Sequence, residues 1–324
     1  MFLKKSTVQE YLPKTIAHVA EAFERSKVTD SWSAMNVLMD CGIEQDLLNP
    51  MADFTHGPEE CYGRKILHKS KTFEVILMMW KPGDVSAIHQ HGTASWGAVK
   101  TYGQMDYASF TLDDNKLRTS GMIRLNERNI VAVDGNVIYQ MGNSTDQNVF
   151  TLHIYGVNEA SDMPGIMRDS RIFDLSSGKS YKTDAKAFYE LPASAIKKIE
   201  TGLSADYPTW LSNLTHQINR NKKMAQFSRL KFLLNELRST EKAGPLLEFL
   251  EGKLEPSGRF INKFYEKMFT SALISLGTFL GEFPEYHPLQ QISVQLDRSK
   301  TIVIVHVDDR QIMLDYSSDK LVIS

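Results

Sequence analysis

Gly83-Asp84-Val85-Ser86-Ala87-Ile88-His89-Gln90-His91-Gly92-Thr93-Ala94-Ser95-Trp96 is the most informative stretch of this 324-residue chain. On a β-strand, residues i and i+2 point to one face. His89 and His91 are therefore placed to grip a single metal ion. Two imidazoles suit iron, copper, nickel or zinc, and ligand type alone does not choose among them. His-x-His by itself reads equally well as a surface pair or an internally satisfied pair, so its surroundings decide.

Those surroundings read as short strands. Phe73–Trp80 is a continuous apolar run closed by the turn Lys81-Pro82-Gly83-Asp84. Further runs at Trp96–Val99, Met105–Phe110, Ile130–Val133 and Val149–Tyr155 are bounded by Gly, Asn or Asp. Many short strands with regular turn signals indicate a sandwich or barrel. Before them, residues 7–48 read as helical. Ile16, Val19, Ala20 and Phe23 recur at helical spacing, and Asp30 or Ser31 caps a second helix through Met39. Residues 51–63 read as a connection.

Past about residue 180 the pattern turns helical, at Ala185–Leu203, Thr209–Arg220, Lys222–Lys242 and Arg259–Phe283. The apolar stripes Phe227, Leu230, Leu233, Leu234, Leu237 and Phe260, Phe264, Met268, Ala272, Leu276 read as core or dimer packing. The chain then returns to strand at Ile292–Leu296, Thr301–Val307, Gln311–Tyr316 and Lys320–Ile323. The expected organisation is a helical segment over 1–50, a barrel over 51–175 and an α+β domain over 176–324. His216, His287 and His306 lack ligand spacing.

Composition narrows the partners. An apolar share of 42% and a charged share of 23% are ordinary for a soluble globular protein. A formal charge of −2 gives no electrostatic reason to expect nucleic acid or an acidic membrane surface. Two cysteines, Cys41 and Cys61, are too few for a disulfide framework, and they read as reduced thiols in a cytoplasmic protein. The N-terminus starts like a signal peptide, but Glu10, Lys14 and His18 interrupt any apolar core. No run approaches 18 apolar residues, so no transmembrane helix is expected.

Gly83, the two histidines and Gly103 together resemble the first cupin motif, Gly-x5-His-x-His-x4-Glu-x6-Gly, with Trp96 at the acid position. A missing acid resembles the cysteine dioxygenase (thiol dioxygenase) family, which uses three histidines and carries cysteine or glycine there. Tyr62-Gly63-Arg64 is similar to that family's Tyr-x-Arg motif, and Thr151-Leu152-His153-Ile154-Tyr155 to its Ser-x-His-x-Tyr. The resemblance covers roughly residues 50–160 and implies a mixed fold: a jelly-roll-like cupin β-barrel with a helical N-terminal segment and an added α+β C-terminal domain.

The resemblance also implies roles. Arg64, helped by Tyr62, binds a substrate carboxylate, to which a guanidinium fork is suited; unaided, Arg64 reads as a surface ion-pair partner. Tyr155, oriented by His153 and Thr151, reaches over the bound substrate. Trp96 lines and narrows the thiol pocket, and it rules out the family's cysteine–tyrosine crosslink.

The third ligand departs from the pattern. The family's His-x3-Asn aligns with Tyr139-Gln140-Met141-Gly142-Asn143, which puts tyrosine at the ligand position. Either Tyr139 binds as a phenolate, or His153 swings in, or the site is degenerate. The expected activity is oxidation of a small thiol by O2 at a mononuclear metal, iron first and copper, nickel or zinc as substitutes. The alternatives are a non-catalytic metal- or ligand-binding cupin and a zinc-dependent isomerase or hydrolase. Homo-oligomerisation through the C-terminal domain is the expected assembly.

Overall fold

The structure is a computed structural model. It describes residues 6–57, 59–127, 129–158, 165, 167–206, part of 209–220, and the strands between 292 and 323, with side chains from residue 14 and backbone alone for those last strands. It divides into two compact units, Met1–Asn115 with Thr119–Leu203 and Lys116–Arg118 with Ser204–Ser324.

The first unit opens with α1 (Ser6–Ser26), α2 (Ser31–Asp40) and the short α3 (Gln45–Leu48). Of the two expected caps for α2, Asp30 is the one used. Its carboxylate accepts from the Ser33 N–H at 2.8 Å, and the Ser33 hydroxyl accepts from the Asp30 N–H at 3.3 Å. Such a cap stabilises a helix by about 1 kcal/mol.

Twelve strands follow. They are β1 (Gly63–Lys69), β2 (Phe73–Trp80), β3 (Ile88–Gln90), β4 (Trp96–Tyr102), β5 (Met105–Asp113), β6 (Lys116–Leu125), β7 (Ile130–Ala132), β8 (Ile138–Gly142), β9 (Val149–Gly156), β10 (Ser170–Asp174), β11 (Lys179–Thr183) and β12 (Ile196–Thr201). One sheet has the order β1-β2-β9-β4-β7, and the other runs β12-β11-β10-β3-β8-β5-β6. Together they form a curled, largely antiparallel half-barrel behind the helical segment, the mixed, jelly-roll-like architecture expected from the sequence.

The alternation of side chains explains why β2 and β9 read as unbroken apolar runs. Val75 and Leu77 on β2, and Phe150, Leu152 and Ile154 on β9, face the helices, where they pack with Ile16, Val19, Phe23, Ala34 and Leu38. Ile76 and Trp80 on β2, and Val149 and Tyr155 on β9, face the barrel interior. A strand covered on both faces has no polar side to show. Truncating a side chain buried as deeply as Phe23 typically costs about 3–5 kcal/mol.

Two sequence expectations are corrected. Ala185–Leu203 is not a helix: a short 3-10 turn at Ala193–Ala195 leads into β12, which pairs antiparallel with β11 from Ile196 to Thr201. Cross-strand pairing overrides the helix propensity of its alanines and lysines. The sheet thus runs on past residue 175, and the compact unit ends at Leu203.

In the second unit, β13 (Ser204–Ala205) runs parallel to Lys116 and Leu117. The described positions of 209–220 are helical. β14 (Ile292–Asp297), β15 (Ile302–Val307), β16 (Arg310–Asp315) and β17 (Lys320–Ile323) form an antiparallel meander, close to the four runs read from the sequence. The helices expected at Lys222–Lys242 and Arg259–Phe283, with their apolar stripes, lie outside the described residues. Among the described residues, no helix is long and apolar enough to cross a membrane.

Candidate metal centre

Two neighbouring strands, β3 and β8, bring the three candidate residues together. His89 on β3 lies directly opposite Tyr139 on β8, and their ring centroids are 4.4 Å apart. His91 follows β3 with its ring 5.1 Å from that of His89 and nearly perpendicular to it, at 88°. The His91 Nε2 and the Tyr139 hydroxyl are 2.8 Å apart. All three side chains are buried.

Each histidine has one nitrogen committed. His89 Nδ1 lies 2.9 Å from the Ala87 carbonyl, which only accepts, so that nitrogen carries the proton and Nε2 holds a lone pair. Burial pushes the His89 pKa down to about 4, so the ring is neutral at pH 7. Tyr139 is held well above the ordinary phenol value, chiefly by burial and then by the neighbouring Tyr155. Without a metal it is a neutral phenol.

β9 supplies the rest. Thr151 Oγ1 is 2.7 Å from His153 Nε2, and His153 Nδ1 is 2.9 Å from the Tyr155 hydroxyl. The Tyr155 hydroxyl is in turn 2.9 Å from that of Tyr139. At the far end, the Trp80 indole N–H donates to Thr151 Oγ1 at 2.9 Å. Six side chains from Trp80 to His91 therefore form one buried hydrogen-bonded chain. Burial lowers the His153 pKa to about 3, with nearby positive charge on Arg64 adding to the effect, and burial raises Tyr155.

His89, His91, Tyr139, His153, Tyr155 and Trp80 line a common cavity with Tyr62, Arg64, Met78, Met141 and Met167. The cavity admits the centre of a water-sized sphere over about 20 Å³, which is room for one water or one ion. Arg64, Met78 and Met167 are its only lining residues that are more than marginally exposed, and they mark its entrance. Arg64 is held by the buried Glu74 at 3.5 Å, while Lys69 takes the other Glu74 oxygen at 2.9 Å. Arg64 thus pairs with a buried carboxylate, not one at the surface, and also lines the cavity. The Tyr62 hydroxyl accepts from the Ala187 N–H at 3.0 Å.

Trp96 is not brought to this cavity. Its ring stacks on Phe23 at 5.9 Å and lies near Phe73 at 6.5 Å, on the helix side of the sheet. The inward parity of His89 and His91 continues through Gly97 and Val99, so Trp96 points out to the helices and Gly97 faces Tyr155 instead. A Cβ on Gly97 would sit 2.4 Å from Tyr155 Cδ1. Gly156 plays the matching part on the other face, where its missing Cβ admits the Trp96 ring.

In the sequence Trp80 stands only as the end of an apolar run, and nothing there singles out Glu74, Ala87 or the three methionines. Period-two alternation on β2 was the available signal for Trp80 and Met78.

Imidazole and phenolate are donor types that iron and copper accept. Among the described residues, no group of three or more His, Cys, Asp or Glu comes together to hold an ion; the set here is two imidazoles and a phenol. Ligands at about 2.0–2.1 Å around one ion sit roughly 3 Å from each other, which the His91–Tyr139 separation matches. His153 is less suited as a substitute ligand, because both its nitrogens are already bonded.

No family model matches the sequence, and no curated protein aligns with it. Solved structures are similar over about a third of the chain. A double-stranded β-helix protein from Klebsiella pneumoniae shares 13% identity over 33% of this chain and 82% of its own, with a TM-score of 0.27. TT1209 from Thermus thermophilus shares 13% over 36% and 96%, with a TM-score of 0.29. Oxalate decarboxylase from Bacillus subtilis shares 19% over 28% of this chain and 22% of its own, with a TM-score of 0.24. The barrel is cupin-like. At these values, no activity or residue role passes from those proteins to this one.

Proposed function

We propose that the cupin-like barrel binds one metal ion on His89, His91 and Tyr139 and uses dioxygen to oxidise a small thiol. The observation carrying this reading is the buried chain from Trp80 to His91, which ends on the metal ligands and has Tyr155 at its centre. A passive core has no physical need for six polar side chains in sequence, since each must find a partner or cost about 1–3 kcal/mol. Iron is the first candidate, and copper suits the same donors.

A metal held by His89, His91 and Tyr139 would supply Lewis acidity, which lowers a thiol pKa. The residues supply the rest. His89 and His91 present neutral imidazoles. Tyr139 gives up its proton to become an anionic ligand. Tyr155, fixed by His153 and Thr151, offers a hydrogen bond to the reacting group. Arg64 provides a positive charge for a substrate carboxylate, in competition with Glu74. A thiol of cysteine's size requires Arg64, Met78 or Met167 to move aside.

The small cavity favours one other reading, a non-catalytic cupin that binds an ion or small ligand and regulates through it. Metal content, visible absorption and oxygen uptake with a panel of thiols separate the two. Stoichiometric iron or copper, a tyrosinate band lost in Tyr139→Phe, and thiol-dependent oxygen uptake support the enzyme. Stoichiometric metal with no uptake for any thiol supports the regulator, and no metal after reconstitution sinks the enzyme and leaves a cupin that binds a small ligand.

A further inference from the structure

We infer that the thioethers of Met78, Met141 and Met167 make this cavity a site for cuprous copper, with Met141 as the donor that joins His89 and His91. The inference rests on those two histidines being the metal ligands proposed above, and it names the ion they hold.

The first observation is a gathering of methionines. Of the thirteen residues that line the cavity, three are methionine, against 14 in the whole 324-residue chain. Methionine is a common filler of irregular cores. Filling alone gives no reason for three of them to converge beside two histidines. Strand alternation brings two of them there. Met141 lies two residues beyond Tyr139 on β8, so both take the same face and both belong to the barrel interior. Met78 lies between Ile76 and Trp80 on β2, at their parity. Met167, just before β10, packs against the same interior.

The second observation is charge. Among the described residues, no carboxylate and no cysteine lines the cavity, and Arg64, which carries a permanent charge there, is a cation. The cost of taking an ion out of water grows with the square of its charge. A monovalent ion therefore meets about a quarter of the desolvation cost of a divalent ion of equal size.

Thioethers are soft, uncharged donors of the kind that monovalent copper accepts. Zinc and iron take sulfur as thiolate, which this cavity lacks. Imidazole and phenol donors alone put iron first; the thioethers and the missing negative charge put cuprous copper ahead. A phenolate suits the oxidised ion, so Tyr139 and Met141 serve different oxidation states of one site. The entrance agrees with this assignment. Met78 and Met167 are half-buried at the rim and Met141 is 1% exposed, so thioethers stand both at the mouth and inside.

Selenomethionine-labelled, metal-free full-length protein, loaded with Cu(I) under argon in thiol-free buffer, is read by X-ray absorption at the copper and selenium edges. Bound copper with selenium and nitrogen in its first shell is expected, and selenium separates methionine from Cys41 and Cys61. Competition with a coloured cuprous chelator gives the affinity. Met141→Leu, a swap that keeps the volume, is expected to weaken Cu(I) binding by at least about tenfold and Zn(II) binding by less than about twofold. If that variant does not fold, the selenium edge of the unmutated protein decides. Copper with only nitrogen and oxygen neighbours, a leucine variant with unchanged Cu(I) affinity, or protein that holds Fe(II) or Zn(II) but no Cu(I) would overturn the inference. Thiol-dependent oxygen uptake by iron-loaded protein, alongside any of those results, would leave the oxidation reading standing. Copper bound through selenium, with no uptake for any thiol, would end the oxidation reading and support the cuprous site.

Discussion

Gly97 on β4 and Tyr155 on β9 stand opposite each other in antiparallel register, with the tyrosine ring occupying the space where a side chain at 97 would be. The Val133 carbonyl closes the same space, at 2.6 Å from the missing Cβ. Gly97→Ala must displace either the ring or the backbone. A loss of about 1–3 kcal/mol is expected from the overpacking, together with loss of the Tyr155–Tyr139 hydrogen bond. Denaturant unfolding and a crystal structure of the variant check both; a variant as stable as the wild type with Tyr155 in place would contradict the contact.

On the proposed function, ligation by Tyr139 makes metal binding a proton-releasing event. His89 is already neutral at pH 7, whereas the Tyr139 phenol is far from ionised. Wild-type protein should release one more proton per metal than Tyr139→Phe. Indicator titration in weak buffer gives the difference, and equal release from the two proteins would remove Tyr139 from the ligand set.

Two buried histidines tie stability to pH. Their folded pKa values, about 4 for His89 and about 3 for His153, lie below the ordinary 6.5. The unfolded chain therefore binds more protons in that interval, and stability falls as pH drops below 6.5. The slope is about 1.4 kcal/mol per pH unit for each histidine, continuing to pH 4 for the first and pH 3 for the second. Denaturant midpoints of the metal-free protein between pH 7 and 4 should show it. His153→Gln should roughly halve the slope, and an unaltered slope would mean that His153 titrates normally.

Arg64 is shared between the cavity and Glu74, so its removal acts twice. Arg64→Ala leaves Glu74 with Lys69 as its partner and is expected to cost about 1–2 kcal/mol of stability, less than for an isolated buried pair. On the proposed function it should raise KM for a thiol carboxylate at least tenfold with little change in metal content. Equal loss of metal and substrate binding would count against the carboxylate role.

The fold was legible where chemistry and periodicity agreed. His89 and His91 at i and i+2, the apolar runs of β2 and β9, and the cap at Asp30 all follow from spacing alone. Thr151, His153 and Tyr155 alternate along β9 and meet in the structure as their pattern implied. Trp96 was misjudged because it was placed inside by alignment to the motif's acid position, whereas the inward residues keep the odd parity of His89 and His91 through Gly97 and Val99. Ala185–Leu203 was misread because its residues favour a helix while its partner strand decides otherwise. Glu74 escaped notice because a buried carboxylate on an apolar strand becomes meaningful only once Arg64 and Lys69 are seen beside it.

β9 is paired along its whole length to β2 on one side and β4 on the other, and it is covered on both faces. Its amides have no route to solvent short of parting the sheet. Backbone protected in this way opens only with the global transition, so residues 149–156 belong to the last segment to exchange deuterium. Thr151, His153 and Tyr155 thus ride on the slowest-breathing strand of the barrel, and any motion that opens the cavity must come from its rim, where Arg64 on β1, Met78 on β2 and Met167 meet the solvent.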